Sequence, residues 1–159
     1  MRRQDKEITD IKAIENIIER SLVCRLALSD NGQPYIVPLS FGYQDKTLYF
    51  HVAREGRKLD ILRNNNNVCF EFDIDQKIVG GKKACNWSMK YRSVIGFGKA
   101  KVLDDFELKK TALDCIMKHY ADEGPFEFPV ESLQRTVIIK VDIEQMSGKV
   151  SGYEPGFEG

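Results

Sequence analysis

The chain has 159 residues, 42% hydrophobic and 30% charged, a globular composition that argues against disorder and suffices for one buried core. Lys+Arg is 24 and Asp+Glu is 24, so the formal net charge is zero, which argues against bulk electrostatic attraction to nucleic acid or anionic lipid. No apolar stretch approaches the roughly 20 residues that cross a bilayer, and the charged start Met-Arg-Arg-Gln-Asp-Lys-Glu lacks the apolar core of a signal peptide. These features predict a cytoplasmic protein with no membrane and no nucleic-acid partner. Cys24, Cys69, Cys85 and Cys115 are scattered without a C-x-x-C pair, as expected of buried reduced thiols. Only His51 and His119 could supplement them, so no metal site is expected.

The elements follow in order, and they read as a single domain over 1–159. A helix is predicted over about 9–20, where Ile11, Ile14, Ile17 and Ile18 share a face and Thr9 or Asp10 can cap. Strands are predicted over 22–28, 33–43 and 47–53, punctuated by Asp30-Asn31-Gly32 and Gln44-Asp45-Lys46. A helix over 57–63 ends in the run Asn64–Asn67. Strands over 68–74 and 91–103 come next, and Gly96 and Gly98 mark a bulge, a bend or a close approach. Asp104 or Asp105 caps a helix with Leu113, Ile116, Met117 and Tyr120 on one face. A last strand covers 136–143, and 146–159 reads as a short tail. Six strands with few helices predict a mainly β fold, a small antiparallel barrel with flanking helices.

The segment Leu48–Leu59 carries the most chemical information. A strand feeds Arg54-Glu55-Gly56, and a helix begins with Arg57-Lys58. Cations at a helix N-terminus are locally unfavourable unless an anion sits there. Backbone amides, the helix dipole and both side chains would then converge on a phosphate, with Gly56 admitting close approach. An exposed basic turn is the alternative. His51 alternates away from the apolar row Leu48, Phe50 and Val52. It is either a solvent-facing histidine or a group that positions substrate or donates a proton. Pro38 belongs at a sheet edge or an irregularity. Trp87, the only tryptophan, with Tyr91 and Arg92 suits a substrate-binding wall or ordinary packing. Nucleophile-elbow, P-loop and Rossmann patterns are absent.

Taken together, the stretches Gly32–Tyr43, Leu48–Ala53, Glu55–Lys58, Val68–Phe70, Tyr91–Gly98 and Met146–Lys149, with Met1-Arg2-Arg3, carry a likeness. The chain resembles the FMN-binding split-barrel proteins related to pyridoxamine 5'-phosphate oxidase, and within them the nitroimidazole-resistance branch. That resemblance implies a six-stranded split barrel and a homodimer with flavin at the subunit interface. The flavin is FMN, with FAD as the alternative. It also implies that Val37, Pro38, Leu39 and Ser40 line the flavin ring, and that Phe50 and His51 lie beside ring or ribityl chain. Gly56, Arg57 and Lys58 hold the phosphate, Ser93 makes a polar contact, and Met146 to Lys149 reach the flavin from the other subunit. His51 is the implied catalytic residue. The C-terminal Trp and Arg pattern that holds pyridoxal phosphate is absent, which argues against vitamin B6 oxidation.

The expected function is a flavin-dependent oxidoreductase that reduces small electron-poor aromatics such as 5-nitroimidazoles. The rival expectation is a non-catalytic flavin-binding or stress-related protein on the same barrel.

Overall fold

The computed structural model describes residues 4–121 and 123–154. A short strand β1 (Glu7–Ile8) precedes helix α1 (Ile11–Arg20). Asp10 caps α1 by accepting a hydrogen bond from the Lys12 amide at 3.2 Å, the N-cap role for which a short carboxylate is suited. Strands β2 (Cys24–Asp30) and β3 (Gln33–Leu39) are joined by Asn31-Gly32 alone. Both residues take positive φ, 48° and 86°, as a two-residue turn must to match strand twist. Asp45 and Lys46, at φ 50° and 59°, do the same between β4 (Gly42–Gln44) and β5 (Thr47–Ala53).

Helix α2 (Arg57–Asn64) leads to β6 (Asn67–Val79), and β7 (Ser88–Leu103) returns. Then come α3 (Phe106–Tyr120), α4 (Val130–Arg135) and β8 (Thr136–Ser151). The hydrogen-bonded order is β3-β2-β6-β7-β8-β5-β4, with β1 added on β8. Among the described residues the sheet is antiparallel, has eight strands and is not closed. The expected mainly β class holds. The strand count is eight rather than six because Ser40-Phe41 interrupts the predicted 33–43 strand and β1 pairs locally.

The described residues gather into two compact units, one of 4–21, 71–95 and 146–154 and a larger one of the remainder. In the first, α1 buries Ala13, Ile14, Ile17 and Ile18, while Ile11 at its first turn stays partly exposed. β1 pairs with β8, Ile8 opposite Gly148. A Cβ on Gly148 would stand 2.8 Å from that of Ile8, so a glycine admits the pairing. The Asp75 carboxylate accepts from Arg20 at 2.7 Å and from Arg92 at 2.8 Å, and the Tyr153 hydroxyl donates to the Asp75 carbonyl at 3.0 Å.

In the larger unit the core gathers Leu26, Phe41, Leu48, Phe50, Phe70 and Ile139, all without exposed surface. Gly96 and Gly98 mark close approach: a Cβ on Gly96 would overlap the Phe70 ring, and one on Gly98 the Asp142 carbonyl oxygen. Asp105, rather than Asp104, caps α3, accepting from the Glu107 and Leu108 amides at 3.0 Å. The buried face of α3 is Lys109, Ala112 and Ile116. It is rotated from the predicted face because Lys109 spends its charge inside.

Two further expectations are corrected. The segment 146–159 is not simply a tail, since β8 continues to Ser151; Met146-Ser147-Gly148 lacks the apolar alternation that announces a strand, and pairing with β1 supplies the stabilisation. Of the four cysteines only Cys24 is buried, while Cys69 and Cys115 are half-buried and Cys85 is exposed in the turn after β6. Among the described residues no helix is long and apolar enough to cross a membrane.

Gly98→Ala forces β7 away from the β8 backbone, which has no flexible end to yield. Overpacking of this kind costs about 1–3 kcal/mol. A thermal melt of the variant should show a midpoint lower by several degrees; an unchanged midpoint would contradict the close approach.

Candidate functional site

The end of β5 passes through Arg54-Glu55-Gly56 into α2. Gly56 has φ 133° and ψ 164° and serves as the N-cap without a side-chain hydrogen bond. A Cβ there would meet nothing within 4 Å, so glycine is required by its backbone angle and not by crowding. The Gly56 carbonyl accepts from the amides of Leu59 at 2.9 Å and Asp60 at 3.3 Å. The amides of Arg57 and Lys58 precede these first helical bonds and point out of the helix end. Arg57 is exposed and Lys58 half-buried. The Arg57 guanidinium carbon lies 4.6 Å from the centroid of the Tyr35 ring, and its Nη2 is 3.7 Å from Asp30 Oδ2. The basic helix start is therefore beside β3 and the end of β2.

β3 is an end strand. It pairs with β2 along its whole length, Pro34 opposite Ser29 and Pro38 opposite Arg25. Proline fits such a ladder only where its nitrogen faces away from the partner. Positions 34 and 38 have the same parity, so one strand orientation accommodates both. The free edge then carries the carbonyls of Pro34, Ile36 and Pro38 but a single donor, the Ile36 amide. Tyr35, Val37 and Leu39 form a half-buried face, while Pro34, Ile36 and Pro38 are exposed. Ser40 is exposed just beyond the strand.

On β5 the expected alternation holds: Leu48, Phe50 and Val52 are buried and His51 is exposed. His51 stands opposite Ile138 in the ladder. Phe50 has no exposed surface, so its side chain belongs to the core and only its main chain could face a ligand.

The other predicted residues lie in the smaller unit. Ser93 and Met146 are half-buried. Tyr91 and Lys149 are brought together, the ammonium 5.3 Å from the ring centroid. Trp87 is 59% exposed and its ring edge lies over Gly80.

The family model described as pyridoxamine 5'-phosphate oxidase matches residues 10–150. The chain belongs to the pyridoxamine 5'-phosphate oxidase family. A pyridoxine/pyridoxamine 5'-phosphate oxidase of Serratia proteamaculans is 31% identical over 121 residues, 69% of this chain and 49% of that protein. The chain thus spans about half the length of that curated relative. Among solved structures, a proposed 5-nitroimidazole antibiotic resistance protein from Bacteroides thetaiotaomicron is 39% identical, with TM-score 0.81 over 91% of this chain and 86% of that one. An FAD and heme binding protein from Mycobacterium smegmatis superimposes with TM-score 0.84 at 20% identity, over 96% of this chain and 76% of that one, a likeness of fold. The fold class is that of the flavin-binding split barrels. The family and the nitroimidazole-resistance likeness are those that the motifs imply.

What sequence reasoning missed in this family member is the support of the loop before α2. Arg54 donates to Asp104 Oδ1 at 2.7 Å and to the Gln134 carbonyl at 3.1 Å. Lys109, only 4% exposed, donates to Asp104 at 2.9 Å, to the Leu133 carbonyl at 2.7 Å and to the Thr136 carbonyl at 3.1 Å. Arg54 and Asp104 also line a cleft of about 240 Å³ with Leu59, Arg63, Val102 and Val137; none of the predicted site residues lies in it. Tyr35 was equally unmarked, although alternation places it on the face of Val37 and Leu39.

The hydrogen bonds from Arg54, and then from Lys109, hold the Asp104 carboxyl down at about 2, below its ordinary 3.8. The folded-state value is the lower one, so this contribution to stability is fully present above pH 3.8 and disappears as pH falls toward about 2. Asp104→Asn should therefore melt below the parent at neutral pH, with the gap closing between about pH 4 and pH 2. A gap that stays constant over that range would contradict the pairing.

Proposed function

We propose that this chain is a flavin-dependent oxidoreductase. It holds FMN, or FAD in its place, and reduces small electron-poor aromatics such as 5-nitroimidazoles. The observation that carries the reading is the start of α2. A glycine N-cap at φ 133°, which makes no side-chain hydrogen bond, is followed by a cationic pair at the end where helix amides already favour an anion. The donor set fits the flavin phosphate: two main-chain amides, one guanidinium and one ammonium. The 39% identity to the proposed resistance protein supports the acceptor class.

A bound flavin would supply the two-electron carrier that no side chain provides. The protein's part is then to bind, orient and move protons. Arg57 and Lys58 grip the phosphate. Val37 and Leu39, half-buried, offer an apolar wall to a flat ring, and Ser40 an exposed hydroxyl. His51, exposed on β5, orients the acceptor or gives it a proton from its imidazole. Tyr91 and Trp87 are proposed for the substrate, and Ser93, Met146 and Lys149 for the flavin. A second copy completing the cleft is supported by the incompletely covered face of β3 and by Ile36, 60% exposed.

The absorption spectrum of the purified protein, with mass identification of any released ligand, tests the flavin. A colourless protein that does not quench added FMN fluorescence rejects the reading. Lys58→Ala should weaken FMN binding by about tenfold or more, the scale of a lost charge-assisted hydrogen bond; undiminished binding would move the phosphate elsewhere. His51→Ala should retain flavin while stopped-flow reoxidation by a 5-nitroimidazole slows by about 100-fold. Flavin bound by the parent without any turnover would place the chain among non-catalytic flavin-binding proteins.

A further inference from the structure

We propose that Tyr35 is a positioning residue, whose ring face holds the Arg57 guanidinium where it receives the terminal phosphate of the ligand. This rests on the flavin reading above and gives a role to a residue that lies in the resembling stretch Gly32–Tyr43 without an implied part in the site.

An arginine side chain on the first turn of a helix has many rotamers, and fixing it costs entropy. Arg57 projects from α2 with its side chain 55% exposed, so packing alone does not fix it. Among the described residues, Asp30 and Tyr35 approach it. Asp30 Oδ2 stands 3.7 Å away, beyond hydrogen-bonding distance. Its own side chain is 37% exposed, so the pair is screened and weak. Tyr35 is different. It sits within a strand paired along its whole length, directly opposite Leu28, and it is half-buried. Its ring is a rigid platform 4.6 Å from the guanidinium carbon.

The kind of contact decides the role. A guanidinium over a ring is held by its charge against the π cloud, and no oxygen of the ring's strand takes up its hydrogens. Its N–H donors remain for a fork of parallel bonds to phosphate oxygens. An ion pair would instead consume those donors. Tyr35 therefore restricts the side chain without competing for its hydrogens, and the weakly held Asp30 is the group an incoming phosphate displaces.

The test is a titration of the full-length, flavin-free chain with FMN and, separately, with riboflavin, which lacks the phosphate. Tyr35→Ala should raise the FMN dissociation constant about three- to fivefold and leave that of riboflavin unchanged. Tyr35→Phe, which keeps the ring, should restore FMN binding. In an Arg57→Ala background, Tyr35→Ala should add nothing. An equal loss for FMN and riboflavin, or a loss that persists without Arg57, would overturn the assignment, because Tyr35 would then be supporting the fold or touching the ring system. A parent chain that binds both ligands equally would overturn phosphate recognition at Arg57 while the flavin reading stands. A parent that binds neither would overturn the flavin reading itself, and this assignment with it.

Discussion

Lys109 carries its charge into the interior of the larger unit, where the Asp104 carboxylate and the carbonyls of Leu133 and Thr136 receive its three protons. A buried ammonium is costly unless fully bonded, so these partners are constrained to stay where they are. The constraint spreads from there. Asp104 also receives Arg54, which lies in the loop between β5 and α2. The carbonyls belong to the end of α4 and the start of β8, the strand against which β5 pairs. Helices α3 and α4, the start of β8 and the loops after β5 and β7 thus meet around one group, and the loop leading to the basic start of α2 is held at its root.

That anchoring gives Gly56, Arg57 and Lys58 their meaning. A basic helix start on a loose loop would be a solvated turn. Here the loop is tied at Arg54, the helix buries Leu59, Ile61 and Leu62, and Arg57 rests on a ring of the end strand. Preorganised donors of this kind lower the ordering cost of binding an anion. The end strand is suited to a neighbour that is not another strand. Its two prolines leave a free edge rich in acceptors and poor in donors, which discourages strand addition while leaving carbonyls for a polar ligand edge.

Membership of the pyridoxamine 5'-phosphate oxidase family narrows the chemistry without fixing it, because one fold hosts many activities. The chain covers about half of its Serratia relative but most of the Bacteroides protein. The likeness to the proposed nitroimidazole-resistance protein runs along most of both chains at 39% identity, and it supports the proposed reading.

The sequence by itself determined the local devices. Asn31-Gly32 and Asp45-Lys46 became two-residue turns, Asp10 became a cap, and the alternation of β5 put Phe50 inside and His51 outside. Each depends on backbone angles or side-chain periodicity within a few residues, which is why it could be read. The split of the predicted 33–43 strand, the extension of β8 through Gly148, and the existence of α4 depended on partners far along the chain. So did the support of the site. Nothing in the local pattern marks Lys109 as a buried cation, because the carbonyls that receive it lie 24 and 27 positions away. Tyr35 had a legible face but no legible role until folding brought Arg57 over its ring. The even charge balance and the basic helix start could be read from composition and order. Only tertiary structure decided which residues hold them in place, since that depends on which distant groups satisfy a buried charge.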